Sequence, residues 1–236
     1  MKELRTYLDR NNIFYDEEMM RKFDAYRGGV LQWNEFVNLT AIRDPEEFTL
    51  KHFVDSVTCV KLPEYEAAEK IIDMGTGAGF PGVPLAILSP EKQFVLVDSL
   101  NKRLRIIAEL CQQIGIRNVT TIHARAEELG HAKEHREQYQ LCVSRAVAPL
   151  GVLLEYCLPL LKKGGSLAAY KGAEAENELT GAKRAMQLLG AEKCRIEETP
   201  LGEEGREHRL LVITKTKPTP SKYPRKAGTP AKEPLK

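Results

Sequence analysis

The sequence predicts an α/β chain. A mostly parallel seven-stranded sheet is wrapped by helices on both faces, ends in an antiparallel hairpin strand and follows a small helical region. Three observations carry this. From Lys70 onward, short apolar runs alternate with runs of helical period, the mark of strand–helix–strand units and a parallel sheet. The last two strand-like runs, near 191–199 and 208–215, are separated only by the turn-like LGEEGRE. That linker has no room for a crossover helix, so one strand must run antiparallel at the sheet edge. Before Lys70 the apolar spacing is helical.

Residues 1–66 form the helical region. Met19, Phe23, Tyr26, Val30, Trp33 and Val37 are spaced three and four apart, on one helix face. Gly28-Gly29 marks a kink or break in it. Trp33 and Phe36 are expected in the core. Asp44-Pro45-Glu46-Glu47 starts a helix: the aspartate caps free amides, proline suits the first turn and the acids face the positive end of the dipole. Leu50, Phe53, Val54, Val57 and Val60 continue it.

Residues 67–215 form the sheet domain. Its strands are read at KIIDM, QFVLVDS, VTTIHA, YQLCVSRA, GSLAAYKG and the two closing runs, with a polar helix from about Ala173 to Leu189. Residues 216–236 form a basic, proline-rich tail. From Lys215 to the end, seven basic residues stand against Glu233 alone, a net +6, among five prolines. Such a segment is not expected to be helical. Two readings stay open: a solubilising tail, or an arm that lies along phosphates.

Composition excludes several classes. No run approaches the ~20 apolar residues of a membrane span, and the N-terminus has no apolar signal region. Cys59, Cys111, Cys142, Cys157 and Cys194 form no Cys-x-x-Cys pair. They read as reduced thiols of a cytoplasmic protein, mostly packing, and no metal site is expected.

The stretch from Ile71 to Leu85, IIDMGTGAGFPGVPL, holds the chemistry. No Gly-x-x-x-x-Gly-Lys-Ser/Thr string is present, so a triphosphate loop drops out. A dinucleotide pattern matches at Gly77, Gly79 and Gly82, but there the first glycine should follow the strand directly. The register Asp73-x-Gly75-x-Gly77-x-Gly79 fits S-adenosylmethionine better. The glycines let the backbone approach the cofactor's amino-acid end, and an acid is welcome beside its ammonium group. Asp98, twenty-three positions after Gly75, ends the second strand, where an acid accepts both ribose hydroxyls. That clue alone does not separate S-adenosylmethionine from NAD. Ala126 and Glu127 follow the third strand, where such enzymes hold adenine; Glu127 reads equally as a solvated acid at a helix start. The reversed hairpin strand favours the methyltransferase architecture over the dehydrogenase one.

Ser144-Arg145-Ala146 ends the fourth strand, where many amino-group methyltransferases carry Asn/Asp-Pro-Pro-aromatic. Cys142 and Cys157 lie inside a strand and a helix, unsuited to a cytosine-type nucleophile. A target with its own lone pair, such as guanine N7, attacks the methyl group without a base, so no catalytic acid or base is assigned and catalysis is alignment. Arg145 and Lys171 are the candidate substrate-positioning residues. For Lys171 a surface lysine is the equal alternative. His52 and Asp55, at i and i+3, read as a structural couple between the helical region and the sheet.

GTGAGFPGVPLAI, NLTAIRDPEEFTLKHFVDS, VDSLNKRLRIIAEL, VSRAVAPL and KYPRKAGTPAKEPL together resemble the bacterial 16S ribosomal RNA methyltransferase G family, also called glucose-inhibited division protein B. The resemblance runs from the helical region to the tail. It implies N7 methylation of one guanine in 16S ribosomal RNA of the small subunit or an assembly intermediate, with S-adenosylmethionine as donor. No membrane partner is implied, and a monomer is the expectation. The family's cofactor contacts fall on Gly75, Phe80, Ala126, Glu127 and Arg145. Relatives tend to read Arg-His before the last strand. Here it is His208-Arg209, so neither receives a role.

Overall fold

The computed structural model describes residues 1–199 and 208–235; the LGEEGRE linker lies outside the described residues. The strands are β1 (Lys70–Met74), β2 (Gln93–Asp98), β3 (Val119–His123), β4 (Tyr139–Arg145), β5 (Leu161–Lys171), β6 (Ala191–Glu198) and β7 (Arg209–Lys215). They form one seven-stranded sheet in the order β3-β2-β1-β4-β5-β7-β6. The first five pair parallel, while β7 is antiparallel to both β5 and β6. The expected hairpin is present, with one difference. The reversed strand is β7, which sits inside the sheet, and β6 takes the edge. β5 has the longer apolar run to pair with β7, and half-exposed β6 tolerates solvent on one side.

Alternate residues enter two cores, as a sheet covered on both faces requires. Ile71, Phe94, Leu96, Leu141, Val143 and Val212 join one core, with Leu4, Phe23, Tyr26, Phe48 and Phe53 of the N-terminal helices. Ile72, Val95, Val97, Cys142, Leu167 and Ile213 face the other, with the helices Leu150–Cys157 and Lys183–Leu189. The N-terminal helices therefore bury their apolar stripe on each other, as Phe23 does on Phe53, and on the helices that cover this face of the sheet.

The helix Glu17–Trp33 runs straight through Gly28-Gly29. No break occurs there, because a Cβ on Gly29 would lie 2.4 Å from Leu110 Cδ2: the glycine admits a neighbouring helix. Phe36 is 75% exposed, against expectation, because the helix ends at Trp33 and the chain turns outward. Asp44 caps as expected, its Oδ1 accepting from Glu46 and Glu47 N–H. The helix beyond it is irregular. A π-helical segment, Thr49–Val54, separates the α turns Pro45–Phe48 and Asp55–Val57. Such insertions re-aim side chains and recur at functional sites. The polar helix divides into Ala175–Gly181 and Lys183–Leu189.

The tail is not a free arm. Tyr223 is buried in the second core, and a short helix, Thr229–Lys232, interrupts the expected coil. Three of its cations meet carboxylates: Lys215 with Glu137, Lys217 with Glu192 and Arg225 with Glu155. Lys215 is wholly buried and also donates to the carbonyls of Leu158 and Leu161. Three of the seven basic residues from Lys215 onward are thus matched within the fold, so the charge that suggested a phosphate-binding arm is met only in part.

Candidate active site

The strand order reverses between β1 and β4, and ligands of open α/β sheets bind beyond the carboxyl ends of strands at that point. A cleft of about 510 Å³ lies there, between the glycine loop, the π-helical segment and the start of β7. A larger groove of about 680 Å³ separates the first helix from the end of β6. It shares no lining residue with the glycine loop, so the chemistry is sought in the smaller cleft.

The loop after β1 is built from below. Asp73 is fully buried, and its Oδ2 accepts from Thr76 Oγ1 at 2.6 Å and from Gly82 N at 2.9 Å. Burial raises its pKa to about 6, opposed by those two bonds. Its Oδ1 is buried without a partner. Asp73 thus shapes the loop from beneath rather than lining the cleft beside a ligand. Gly75 and Thr76 N–H both donate to Val97 O, and Ala78 O accepts from the buried Tyr26 hydroxyl at 2.9 Å. Gly77 has φ +61° and open space where a Cβ would stand, so this backbone can be approached closely. Gly75 differs: a Cβ there would lie 2.3 Å from Val147 Cγ2. A bulkier residue would collide with the loop after β4, not simply fill cofactor space.

Asp98, at the tip of β2, has its carboxylate beside the loop. Oδ2 accepts from Gly77 N at 3.0 Å and Oδ1 from Leu100 N at 2.8 Å. Each oxygen keeps a further lone pair for a diol. Open space at Gly77 and an acid beside it suit the ribose and amino-acid parts of S-adenosylmethionine. Ala126 and Glu127 follow β3, both buried, and Glu127 Oε1 accepts from Gly228 N of the tail at 2.8 Å.

Arg145 is the hub of the opposite wall. Its Nη1 donates to Asp55 Oδ2 at 2.6 Å and to Lys51 O at 3.0 Å; Nη2 donates to His52 Nδ1 at 3.1 Å. The guanidinium lies 5.5 Å from the Phe80 ring centroid, and the His52 ring stacks on Phe80 at 4.5 Å. His52 Nδ1 must accept, so its proton sits on Nε2 and is donated to Thr40 Oγ1 at 2.7 Å. Burial, then the Arg145 charge, depresses the His52 pKa to about 3. The ring is neutral with both nitrogens engaged. Asp55, nearly buried, holds Arg145 on one oxygen and His208 Nδ1, at 3.2 Å, on the other. Burial works against its ionisation, but the His208 bond and Arg145 outweigh it and keep its pKa below the ordinary carboxylate value.

His52 and Asp55 therefore do couple the helical region to the sheet, through Arg145 rather than to each other. His208, to which the sequence reading gave no role, completes the network. The topology contains the signal: an antiparallel β7 must begin at the edge where the parallel strands end. Arg209, its neighbour, turns instead toward Glu176 and Ala173. Lys171 is corrected. Its Nζ donates to Glu178 Oε2 at 2.7 Å and Ala148 O at 3.0 Å, and Glu178 also accepts from Leu150 N. It braces the loop after β4 and does not line the cleft. Cys142 and Cys157 are fully buried, as expected of packing thiols. Among the described residues, no cluster of His, Cys, Asp and Glu could hold a metal, and no helix is long and apolar enough to cross a membrane.

The family model described as GidB, rRNA small subunit methyltransferase G, matches residues 19–208, which span the loop, the Arg145 network and His208. The chain belongs to this family. A ribosomal RNA small subunit methyltransferase G from Desulfitobacterium hafniense is 46% identical over 226 residues, covering 96% of this chain and 93% of that protein. One from Alkaliphilus metalliredigens is 44% identical over 221 residues, covering 94% and 92%. Among solved structures, cofactor-bound Rv0187 from MTB aligns with a TM-score of 0.57 at 16% identity, covering 90% of this chain and 96% of that one. A putative O-methyltransferase from Klebsiella pneumoniae gives 0.56 at 16% identity, covering 89% and 96%. At such identities these structures speak for the fold alone.

Proposed function

We propose that this chain methylates N7 of one guanine in 16S ribosomal RNA, with S-adenosylmethionine as donor. The observation that carries the reading is membership of the methyltransferase G family over residues 19–208, with the matched segment building one cleft. In this reading Gly75, Gly77 and Asp98 hold the amino-acid and ribose parts of the cofactor. Ala126 and Glu127 flank its adenine, while Phe80 and Arg145 wall the place where donor and acceptor meet. Asp73 serves by shaping the loop.

Bound S-adenosylmethionine supplies an electrophilic methyl group on a sulfonium. Guanine N7 would accept that methyl group on its own lone pair, so the residues of this cleft would need to supply no base. No proton moves in that step. The cleft matches this demand: His52 is neutral with both nitrogens engaged, and Asp55 is held by Arg145 and His208. What these residues supply is a fixed wall and exclusion of water.

The test is transfer of label from tritiated S-adenosylmethionine to small ribosomal subunits, naked 16S RNA and a metabolite pool, with the labelled base then mapped. Label on one guanine, released by borohydride–aniline cleavage, is expected. Label only in the metabolite pool would replace the reading with a small-molecule methyltransferase. Calorimetry showing NAD bound and S-adenosylmethionine not bound would mean that the glycine loop has been misread.

A further inference from the structure

The docked tail reaches Glu127, in the helical turn that follows β3. It is held along the helices that follow β3 and β4 by contacts far denser than a solubilising segment needs. Arg136 donates to the carbonyls of Thr219 and Tyr223, both at 2.8 Å, and to Gly130 O at 2.7 Å. His131 Nε2 bonds Pro224 O at 2.7 Å. Arg225 meets Glu155, whose carboxylate is fully buried, through both its backbone N–H and its guanidinium. Pro224 lies so close to Gly130 that a Cβ there would stand 2.5 Å from its Cγ. These anchors bring Gly228, at φ +83°, to Glu127, where its N–H donates to Oε1. A Cβ on Gly228 would meet nothing within 4 Å, so there is room beside this contact.

We infer that residues 226–235 form a wall of the cofactor site at its nucleoside end. The inference rests on the methyltransferase reading, in which Ala126 and Glu127 flank the adenine. The tail fixes the Glu127 carboxylate and covers that side of the pocket, so nucleoside affinity depends on a segment beyond the last strand. Among the described residues, the hydrogen bonds of this segment reach Glu127 and Arg225, and none reaches Gly75, Gly77 or Asp98. Its loss should therefore weaken S-adenosylmethionine, S-adenosylhomocysteine and 5′-methylthioadenosine alike.

Two variants test this. Deleting residues 226–236 removes the wall but keeps the Tyr223, Pro224 and Arg225 anchors. Gly228→Pro removes the N–H that reaches Glu127 and forbids the +83° φ, with the rest of the tail intact. Calorimetry with the three nucleosides is run on the full chain and both variants, each at a temperature where circular dichroism shows it folded. The expected result is a loss of roughly tenfold or more for all three ligands. Affinities within about twofold of the full chain overturn the inference, as does a loss confined to S-adenosylmethionine. Unchanged nucleoside affinity with a shallower salt dependence of 16S RNA binding also overturns it and makes the segment a phosphate contact. A full chain that binds none of the three overturns the methyltransferase reading itself, whereas tight binding by the full chain and equally tight binding by the variants overturns the wall alone.

Discussion

Replacing Arg145 with alanine tests whether the wall of the cleft is also a structural joint. The substitution removes bonds to Asp55, Lys51 O and His52, and the cation above Phe80. It leaves the Asp55 carboxylate, 4% exposed, with His208 as its remaining charged or polar side-chain partner in the network. Removing one partner of a buried ion pair costs about 3–5 kcal/mol, because the other charge stays desolvated. For a chain of this size each kcal/mol lowers the melting temperature by about 2–4 °C, so a drop of roughly 6–20 °C is expected. The assay is thermal melting by circular dichroism at neutral pH of Arg145→Ala, Asp55→Asn and the double variant. The double variant should be more stable than additivity predicts by about 2 kcal/mol, since the neutral amide no longer needs the cation. Turnover is then measured well below each melting temperature, where Arg145→Ala should still be strongly impaired. A melting temperature within 2 °C or so of the parent, with additive double-variant behaviour, would refute the buried-joint reasoning.

Acid should weaken the fold through His52. Its folded pKa, about 3, lies below the ordinary 6.5, so its contribution is present above pH 6.5 and lost as pH falls toward 3. Asp73, raised to about 6, acts with the opposite sign, so the stability difference between parent and His52→Gln isolates the histidine; a difference that is flat over that range contradicts the prediction. Gly79→Ala, at φ +87° with a Cβ 2.2 Å from the Tyr26 hydroxyl, should cost about 2 kcal/mol or more, and Tyr26→Phe should recover part of it in chemical denaturation. Arg225→Ala should lower the melting temperature markedly, by about 3 kcal/mol in stability, because Glu155 is wholly buried; an unchanged melt would show the tail undocked in solution.

What the sequence made legible was local. The alternating runs, the Asp44 cap and Asp98 at a strand tip each follow from a pattern within a few residues, and the structure places them as read, whereas Asp73 was read beside a ligand and lies beneath the glycine loop. What was not legible depends on how the elements turn back on one another. Lys171 looked available because the sequence does not show that the next helix turns Glu178, only seven residues on, back onto it. Tail cations looked uncompensated because Glu137 and Glu155 belong to other elements. Phe36 was expected in the core as a large apolar residue, and the sequence does not show that the helix ends at Trp33 and leaves it exposed. His208 needed the sheet order as well as the strand, since only an antiparallel β7 brings its first residues to the cleft.

The Asp55 carboxylate also carries a history. Its two partners lie 90 and 153 positions further along the chain. During synthesis the acid emerges early and waits, solvated, while most of the sheet is made. Arg145 arrives with β4, and His208 only with the strand threaded between β5 and β6. Contacts of such span are costly to close and form late. A nascent chain that stops before residue 208 therefore lacks the finished joint however well its early strands have paired, and the cleft comes to completion as one of the last acts of folding.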